Sequence, residues 1–463
     1  MQKVEKISEK LGITFGFAMM MLTMVVTIAG AYIAFFLTDL TGLSAVGMGV
    51  ILLVGGIADV VSCFFVGILV QNTNLRWGKY RSWALISPLA TIIGYVLLFV
   101  NWPIPEGAKV ILLCMLYAIA AIGSNLQTLS QNGLISKITQ DPDDRVNLVG
   151  RQQQGHAAAR VVSGMTFLPL VALLGRGNDV MGYLGYFLIF GIISAVMNVL
   201  IFKMTKRYDP YVPESKLEKE VNVMGPKDMW NVLRKNDQFI VLILTDLLNS
   251  IGLMVGFVAM PYFFTYMVGD ISGMTFYLSA SSICQLLGCF VGPIVTKKWD
   301  KKPIFIFGVI AYGISFPVVY ITYLITGVAS AWLFIVMISF GSFSLAMQNP
   351  LKPTMFMDTA EYGYQKYGKN ATSFILTFAP LPIKGGNAIA GGIFGICLSI
   401  IGYSAGMAIT PALSGKLMFV IFNIPIVFVI IALLIFTFGY KLNRNNLAEI
   451  RIENEKKLAE INR

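Results

Sequence analysis

The chain has 463 residues, 56% of them hydrophobic and only 13% charged, with a mean hydropathy of +0.73. Soluble proteins carry about 25% charged residues, so this composition excludes an ordinary soluble enzyme and points to an integral membrane protein. The formal net charge of +11 does not call for nucleic acid, because the basic residues cluster in alternate loops, as membrane topology requires.

A membrane-spanning helix needs about 20 mostly apolar residues, and about twelve such runs follow one another. The first residues, MQKVEKISEK, are charged, and the apolar run after them is too long for the core of a signal peptide. No cleavable leader is therefore expected. The apolar runs predict helices over residues 11–37, 45–70, 83–100, 110–136, 151 or 156 to 174, and 183–204. Residues 206–237 are polar, rich in lysine and interrupted by Pro210, Pro213 and Pro226. They read as a cytosolic linker with a short amphipathic piece at 229–233. Six further helices are expected over 239–268, 275–295, 304–325, 331–348, 372–401 and 418–440.

The tail, 441–463, is charged, with Leu447, Ile450, Leu458 and Ile461 at roughly helical spacing. It reads as a surface helix or a frayed cytosolic end. The expected organisation is a first six-helix bundle (1–205), a linker (206–237), a second bundle (238–440) and a tail (441–463). Six helices, a basic linker and six helices form the layout of a major facilitator transporter, all-α and membrane-embedded, with its site near the midplane between the halves. Most Lys and Arg fall in the loops after predicted helices 2, 6, 8 and 10. Both termini are therefore expected in the cytosol, in a bacterial inner or plasma membrane.

Two charges stand out because they lie deep in apolar runs. Asp59 is roughly 20 Å from the start of helix 2 and roughly 17 Å from its end. Lys384, in TFAPLPIKGGNAIAGG, is roughly 18 Å from the cytosolic start of predicted helix 11. A charge at a helix centre costs roughly 2.5–3.5 kcal/mol on insertion scales and normally faces a cavity or a partner. The two are expected to pair across the central cavity and to exchange partners during transport; a static ion pair holding the halves together is the other reading.

Asp246, with Asn249 and Ser250 one turn on, lies about two turns from the cytosolic end of helix 7. It reads either as a cavity residue or as part of an inner gate. Helix 4 carries Asn125, Gln127, Thr128, Gln131 and Asn132, an amide-rich run read as a polar cavity wall, with interhelical bonding as the alternative. Gln348, Asn349 and Asn387 belong with it. His156 is the only histidine, flanked by Arg151 and Arg160. These three either attract an anionic solute or snorkel to the interface. The five cysteines (Cys63, Cys114, Cys284, Cys289, Cys397) lie in apolar runs with no metal spacing and read as buried thiols. No nucleotide-binding, metalloprotease or nucleophile–histidine–acid motif is visible, so transport is gradient-driven or passive.

FFLTDLTGLS, GGIADVVS, LRWGKYRSW, TQDPDDR, YMVGD and KGGNA occur in that order along the chain. With this set the chain resembles the glycoside–pentoside–hexuronide:cation symporters, the melibiose-permease-like branch of the major facilitators. The resemblance covers nearly the whole chain and implies a sodium, lithium or proton symporter for sugars and glycosides. It implies a cation site of two helix-2 carboxylates one turn apart, with a helix-11 lysine nearby. Asp59 and Lys384 match the first carboxylate and the lysine. The second carboxylate falls on Cys63, and the polar position before it on Ser62. A thiol is a poor ligand for a hard cation, so a proton on Asp59 is the simpler coupling ion, with sodium at Asp59 as the other. No other metal and no cofactor are expected.

The sugar-binding acids that the resemblance implies on helices 1 and 4 fall on Thr23 and Thr128. Its helix-5 arginine falls near Gln153, with Arg151 close by. The expected substrate-binding set is thus Thr23, Asn125, Thr128, Gln131, Arg151, Gln153, Asp246, Asn249 and Asn387. Loss of the two acids argues against a melibiose-like galactoside. It leaves a cationic bias that suits a hexuronide, or a less polar aglycone or steroid-like solute. A facilitator without coupling, and a receptor that binds without translocating, are the competing functions. The expected partners are a small solute and lipid, not nucleic acid, and the expected state is a monomer.

Overall fold

The structure is a computed structural model that describes residues 9–73, 75–139, 142–211, 234–296, 298–367, 375, 380–404 and 410–461. The first half comprises α1 (Glu9–Phe35, running on through a wide turn at Phe36–Leu40), α2 (Ala45–Asn72), α3 (Lys79–Leu98), α4 (Glu106–Ile138), α5 (Pro142–Gly175) and α6 (Asp179–Met204). The second comprises α7 (Asp237–Tyr262, with a wide turn at Phe263–Val268), α8 (Gly273–Val295), α9 (Lys301–Thr326), α10 (Ala331–Ala346), α11 (Lys352–Tyr367), α12 (Leu381–Ile400) and α13 (Pro411–Gly439). A last helix, α14 (Arg444–Ile461), follows. Among the described residues, eleven helices are long and apolar enough to span a membrane, and α10 is a shorter apolar helix.

Polar residues in the short loops start these helices. Ser44, Asn178, Asn236, Ser330 and Thr410 each accept a backbone N–H from the first turn of the helix that follows. Such caps satisfy donors that have no intrahelical partner. α5 begins more than two turns before the predicted start, because Pro142 suits a first helical turn.

Counting spans, α1–α10 are the first ten, and α12 and α13 the last two. Twelve spans return the chain to the membrane side on which residue 9 lies. We refer to that side as the terminal side and to the opposite one as the far side. Within the first half α3 packs on α4 and α6, α1 on α5 and α6, and α2 on α4. Within the second, α7 packs on α12 and α13, and α10 on α8 and α9. The halves meet where α2 lies against α12, α5 against α8, and α1 against α7. Span 2 against span 11 and span 5 against span 8 are the same contact with the halves exchanged, as a duplicated six-helix unit requires.

Apolar side chains give no net drive for helix association in lipid, so close backbone approach at small residues takes over. A Cβ at Gly49 would lie 3.2 Å from Gly395 Cα, one at Gly56 2.2 Å from Ala388 Cα, and one at Gly391 2.3 Å from Leu52 Cβ. On the far side the seam is closed by aromatic packing of Phe35, Phe394 and Tyr403 around Tyr262. Hydrogen bonds join the halves there: Thr38 to Tyr262 at 2.7 Å, and Asp39 to Tyr403 at 2.7 Å and to Tyr266. Two polar contacts on the terminal side lie within one half. Asp209 Oδ2 accepts from the backbone N–H groups of Tyr80 and Arg81, and Lys301 pairs with Asp358.

Sequence periodicity misses α11, whose charged stretch reads as a loop. It is a surface helix that buries Met355, Phe356 and Ala360 against Phe239, Leu242 and Tyr440, together with Leu447 and Ile450 of α14. The tail is thus a docked helix along its described part. The expected amphipathic piece at 229–233 lies outside the described residues. So does most of the expected start of helix 11, residues 372–379 with only Ile375 described; the described helix begins at Leu381.

Gly56→Ala places a methyl against Ala388, whereas a Cβ at Gly67 meets nothing within 4 Å. Gly56→Ala is expected to destabilise the protein by about 1–3 kcal/mol through overpacking. Gly67→Ala is expected to be neutral or stabilising by up to about 1 kcal/mol. Thermal unfolding in detergent compares the two.

Candidate functional site

Gly49, Leu52, Gly56 and Asp59 recur at helical spacing along α2, and Lys384, Ala388, Gly391 and Gly395 do so along α12. Each set forms one stripe. The close approach at Gly56 and Ala388 therefore brings Asp59 and Lys384 together one turn further on. Asp59 is about 21 Å from the far-side end of α2, and Lys384 about 24 Å from that of α12. Lys384 Nζ donates to both Asp59 carboxylate oxygens at 2.8 Å and to Asn125 Oδ1 at 3.0 Å. Asn125 Nδ2 donates to Asp59 Oδ1 at 2.8 Å and to Ser62 Oγ at 2.6 Å. Ser62 Oγ and Cys63 Sγ both donate to the carbonyl oxygen of Asp59.

The ammonium thus sits on three oxygens. The Lys384 and Asp59 side chains are 24% and 22% exposed, so the pair is half-sealed rather than entombed. The oxygens of Asp59, Asn125 and Ser62 are hard donors. Among the described residues no group of three or more His, Cys, Asp or Glu could hold a metal ion.

On the terminal side of this cluster lies a cavity of about 350 Å³ lined by Met19, Thr128, Asn132, Ile135, Ser136, Val149, Gln152, Gln153 and His156. None of these is an acid. Thr23 Oγ1 lies 2.6 Å from His156 Nδ1 and fixes the ring at the cavity wall. Thr128 Oγ1 donates to the Ser124 carbonyl of its own helix. Asn387 is exposed, yet Phe394 and Leu398, seven and eleven residues on in the same stripe, are buried at the closed end.

The structure divides the remaining candidates. Gln131 is fully buried and bonds Asn198 and Gln152, so it joins α4 to α5 and α6 rather than lining the cavity. Gln127 does the same with Ser194. The helical period turns Gln127 and Gln131 toward α6, and Thr128 and Asn132 toward the centre. Asp246 and Asn249 are also buried, against the interior of the second half. Asp246 pairs with Lys352 at the start of α11. Asp246 Oδ2 and Asn249 Oδ1 have no hydrogen-bond partner among the described residues. Arg151 lies at the terminal-side mouth, bonded to Gln154 and 3.6 Å from Glu9. The arginine of α5 that faces the second half is Arg160, two turns deeper than Gln153, with Nη1 on Gln285 Oε1 at 3.1 Å. The sequence offers Arg160 only as one of three flanking cations.

A mid-depth ion pair bridging two six-helix halves, beside a polar cavity, is the arrangement of a secondary transporter. The profile of the family described as "MFS/sugar transport protein" matches residues 14–444. The chain belongs to that family. Its relatives include the inner membrane symporter YicJ of Escherichia coli, 25% identical over 90% of this chain and 89% of that one. They also include the isoprimeverose transporter of Lactiplantibacillus pentosus, 25% identical over 82% of this chain and 78% of that one. A putative sulfoquinovose importer of Escherichia coli is 24% identical over 90% and 88% of the two chains.

Among solved structures, the fold is shared with a bacterial homologue of the human lysosomal transporter Spinster in an inward-facing, unoccupied conformation (TM-score 0.69, 15% identity, covering 93% of this chain and 96% of that one). It is also shared with a D-xylose–proton symporter (TM-score 0.63, 14% identity, 93% and 96%). The protein is a multi-pass membrane transporter of the major facilitator fold and not an enzyme.

Removing one partner of a buried ion pair costs about 3–5 kcal/mol. Asp246→Asn leaves Lys352 uncompensated, so a lower thermal midpoint and lower yield are expected, with unchanged solute affinity in the protein that still folds. Lost solute binding at an unchanged midpoint would return Asp246 to the cavity wall.

Proposed function

We propose that this protein is a cation-coupled symporter of a sugar- or glycoside-type solute that works by alternating access, as a monomer. In this reading it lies in a bacterial inner or plasma membrane with both termini in the cytosol, so the cavity opens inward. The observation that carries the reading is the Asp59–Lys384–Asn125 cluster, the mid-depth ion pair that ties one half to the other. The isoprimeverose transporter among its relatives supports the solute class, and the symporter YicJ supports symport.

The proposed coupling follows from the oxygen cage. A proton on Asp59 neutralises the carboxylate, and Lys384 keeps only its bond to Asn125 Oδ1. The seam between α2 and α12 then loosens, and the far-side contacts of Asp39 and Thr38 can open. With the far side open the solute binds; the loaded, protonated protein then turns inward, and there the proton leaves toward the cytosol and the Asp59–Lys384 pair re-forms. Sodium would compete with Lys384 for the same oxygens of Asp59, Asn125 and Ser62. Cys63 supplies no hard donor and bonds the Asp59 carbonyl instead, which favours the proton. The acid-free cavity lining and the likeness to a putative sulfoquinovose importer favour a second, narrower reading in which the solute is anionic, such as a hexuronide or a sulfonated sugar.

The test is uptake into energised vesicles with neutral glycosides, glucuronides and a sulfonated sugar, each with a sodium gradient, with a proton gradient only, and with neither. Asp59→Asn is expected to lower concentrative uptake at least tenfold and to abolish its cation dependence, while downhill counterflow persists. Unchanged, cation-dependent accumulation in Asp59→Asn would rule out Asp59 as the coupling site. Equilibrating flux without accumulation in the wild type would make the protein a facilitator.

A further inference from the structure

We propose that Arg160 is the anchor for an anionic group of the transported solute, a carboxylate or a sulfonate, and that Gln285 holds the guanidinium in place when the solute is absent. This deepens the transport reading and rests on it.

Position comes first. Gln153, His156, Arg160 and Gly164 lie at i, i+3, i+7 and i+11, one stripe of α5. Gln153 and His156 line the cavity. At Gly164 the stripe is sealed, since a Cβ there would lie 2.9 Å from Leu278 Cβ of the second half. Arg160 therefore sits where the cavity ends against the closed seam. It is about 22 Å from the far-side end of α5 and about 27 Å from its start, near mid-membrane.

Charge comes next. Arg160 is exposed, and its Nη1 donates to Gln285 Oε1. No ion pair joins it to an acid among the described residues, and the cavity lining holds no acid. The acids within α2 and α7 are already paired, Asp59 with Lys384 and Asp246 with Lys352. A lone cation at this depth is costly and marks a substrate path more often than a strut. A guanidinium offers five N–H donors in a planar fork that matches two oxygens of an oxyanion. One donor is engaged by Gln285. Among the described residues no acid engages the others.

Neighbouring groups complete a subsite. His156 is held through Nδ1 by Thr23, so its Nε2 is left for the cavity. Across the seam, Cys289 lies one turn beyond Gln285, and Asn349 Nδ2 donates to its thiol at 3.7 Å. Because Gln285 belongs to the second half, an oxyanion that draws Arg160 away from it also alters a contact between the halves. An anionic solute is thereby sensed where the halves must separate.

The experiment uses the full-length protein in lipid nanodiscs and matched probes: methyl β-glucoside with methyl β-glucuronide, and glucose with 6-deoxy-6-sulfoglucose. Calorimetric binding is expected to show the anionic member of at least one pair bound tenfold or more tightly than its neutral partner. Arg160→Gln is expected to erase that preference while leaving neutral binding within about twofold. Arg160→Lys, which keeps charge and length, is expected to retain part of it. A preference untouched by Arg160→Gln, tighter binding of the neutral members by the wild type, or no binding of any anionic member would each overturn the proposal.

Flux of the same probes in proteoliposomes separates the two readings. Anion preference through Arg160 without flux would sink the transport reading and leave the subsite. Flux of neutral glycosides without any preference would do the reverse.

Discussion

An unpaired charge is costly in the middle of a membrane, and this constraint organises the protein. Asp59 is stable at mid-depth because Lys384 reaches it from the other half, and Lys384 because Asp59 and Asn125 receive all three of its protons. The glycine and alanine stripes of α2 and α12 let the two backbones touch and so set the distance between the charges. The ion pair, the small-residue seam and the closed far side form one structure. Loosening any of the three loosens the others.

The polar contacts sort into two groups that a rocking motion would treat differently. Those between the halves lie at mid-depth or on the far side, at Thr38, Asp39, Tyr262, Tyr266 and Tyr403. Those described on the terminal side, at Asp209, Asp358 and the α11–α14 contact, stay within one half. Each half can therefore move as a rigid body, keeping its own loops ordered, while the far-side set breaks and re-forms.

The fold was legible because spans and loop charges are coarse signals. Asp59 and Lys384 were legible because charges deep in apolar runs are costly and rare, whereas Asn125 was read as a substrate-binding amide of the cavity wall and its place between them needed α4 seen beside α2. Which amide of α4 faces inward was not legible. These helices are apolar around much of their circumference, since lipid and protein interior look alike to a side chain, so the pattern that marks a core face in a soluble helix is missing. Gln127 and Gln131 could not be told from Thr128 and Asn132 until α6 was seen beside them. Asp246 was misplaced because its partner, Lys352, lies in a stretch that reads as a loop. Arg160 was grouped with Arg151 and His156 as anion-attracting or interfacial, because its extra two turns of depth along α5 show only once the helix is placed.

The central claim is that the Asp59 carboxylate changes its proton or cation partner during the cycle. Infrared difference spectroscopy, induced by a pH step or by sodium addition, tests it without knowledge of the solute. The account predicts a carboxyl signal in the wild type that is lost in Asp59→Asn and shifted in Lys384→Gln. Identical difference spectra for the wild type and Asp59→Asn would contradict it.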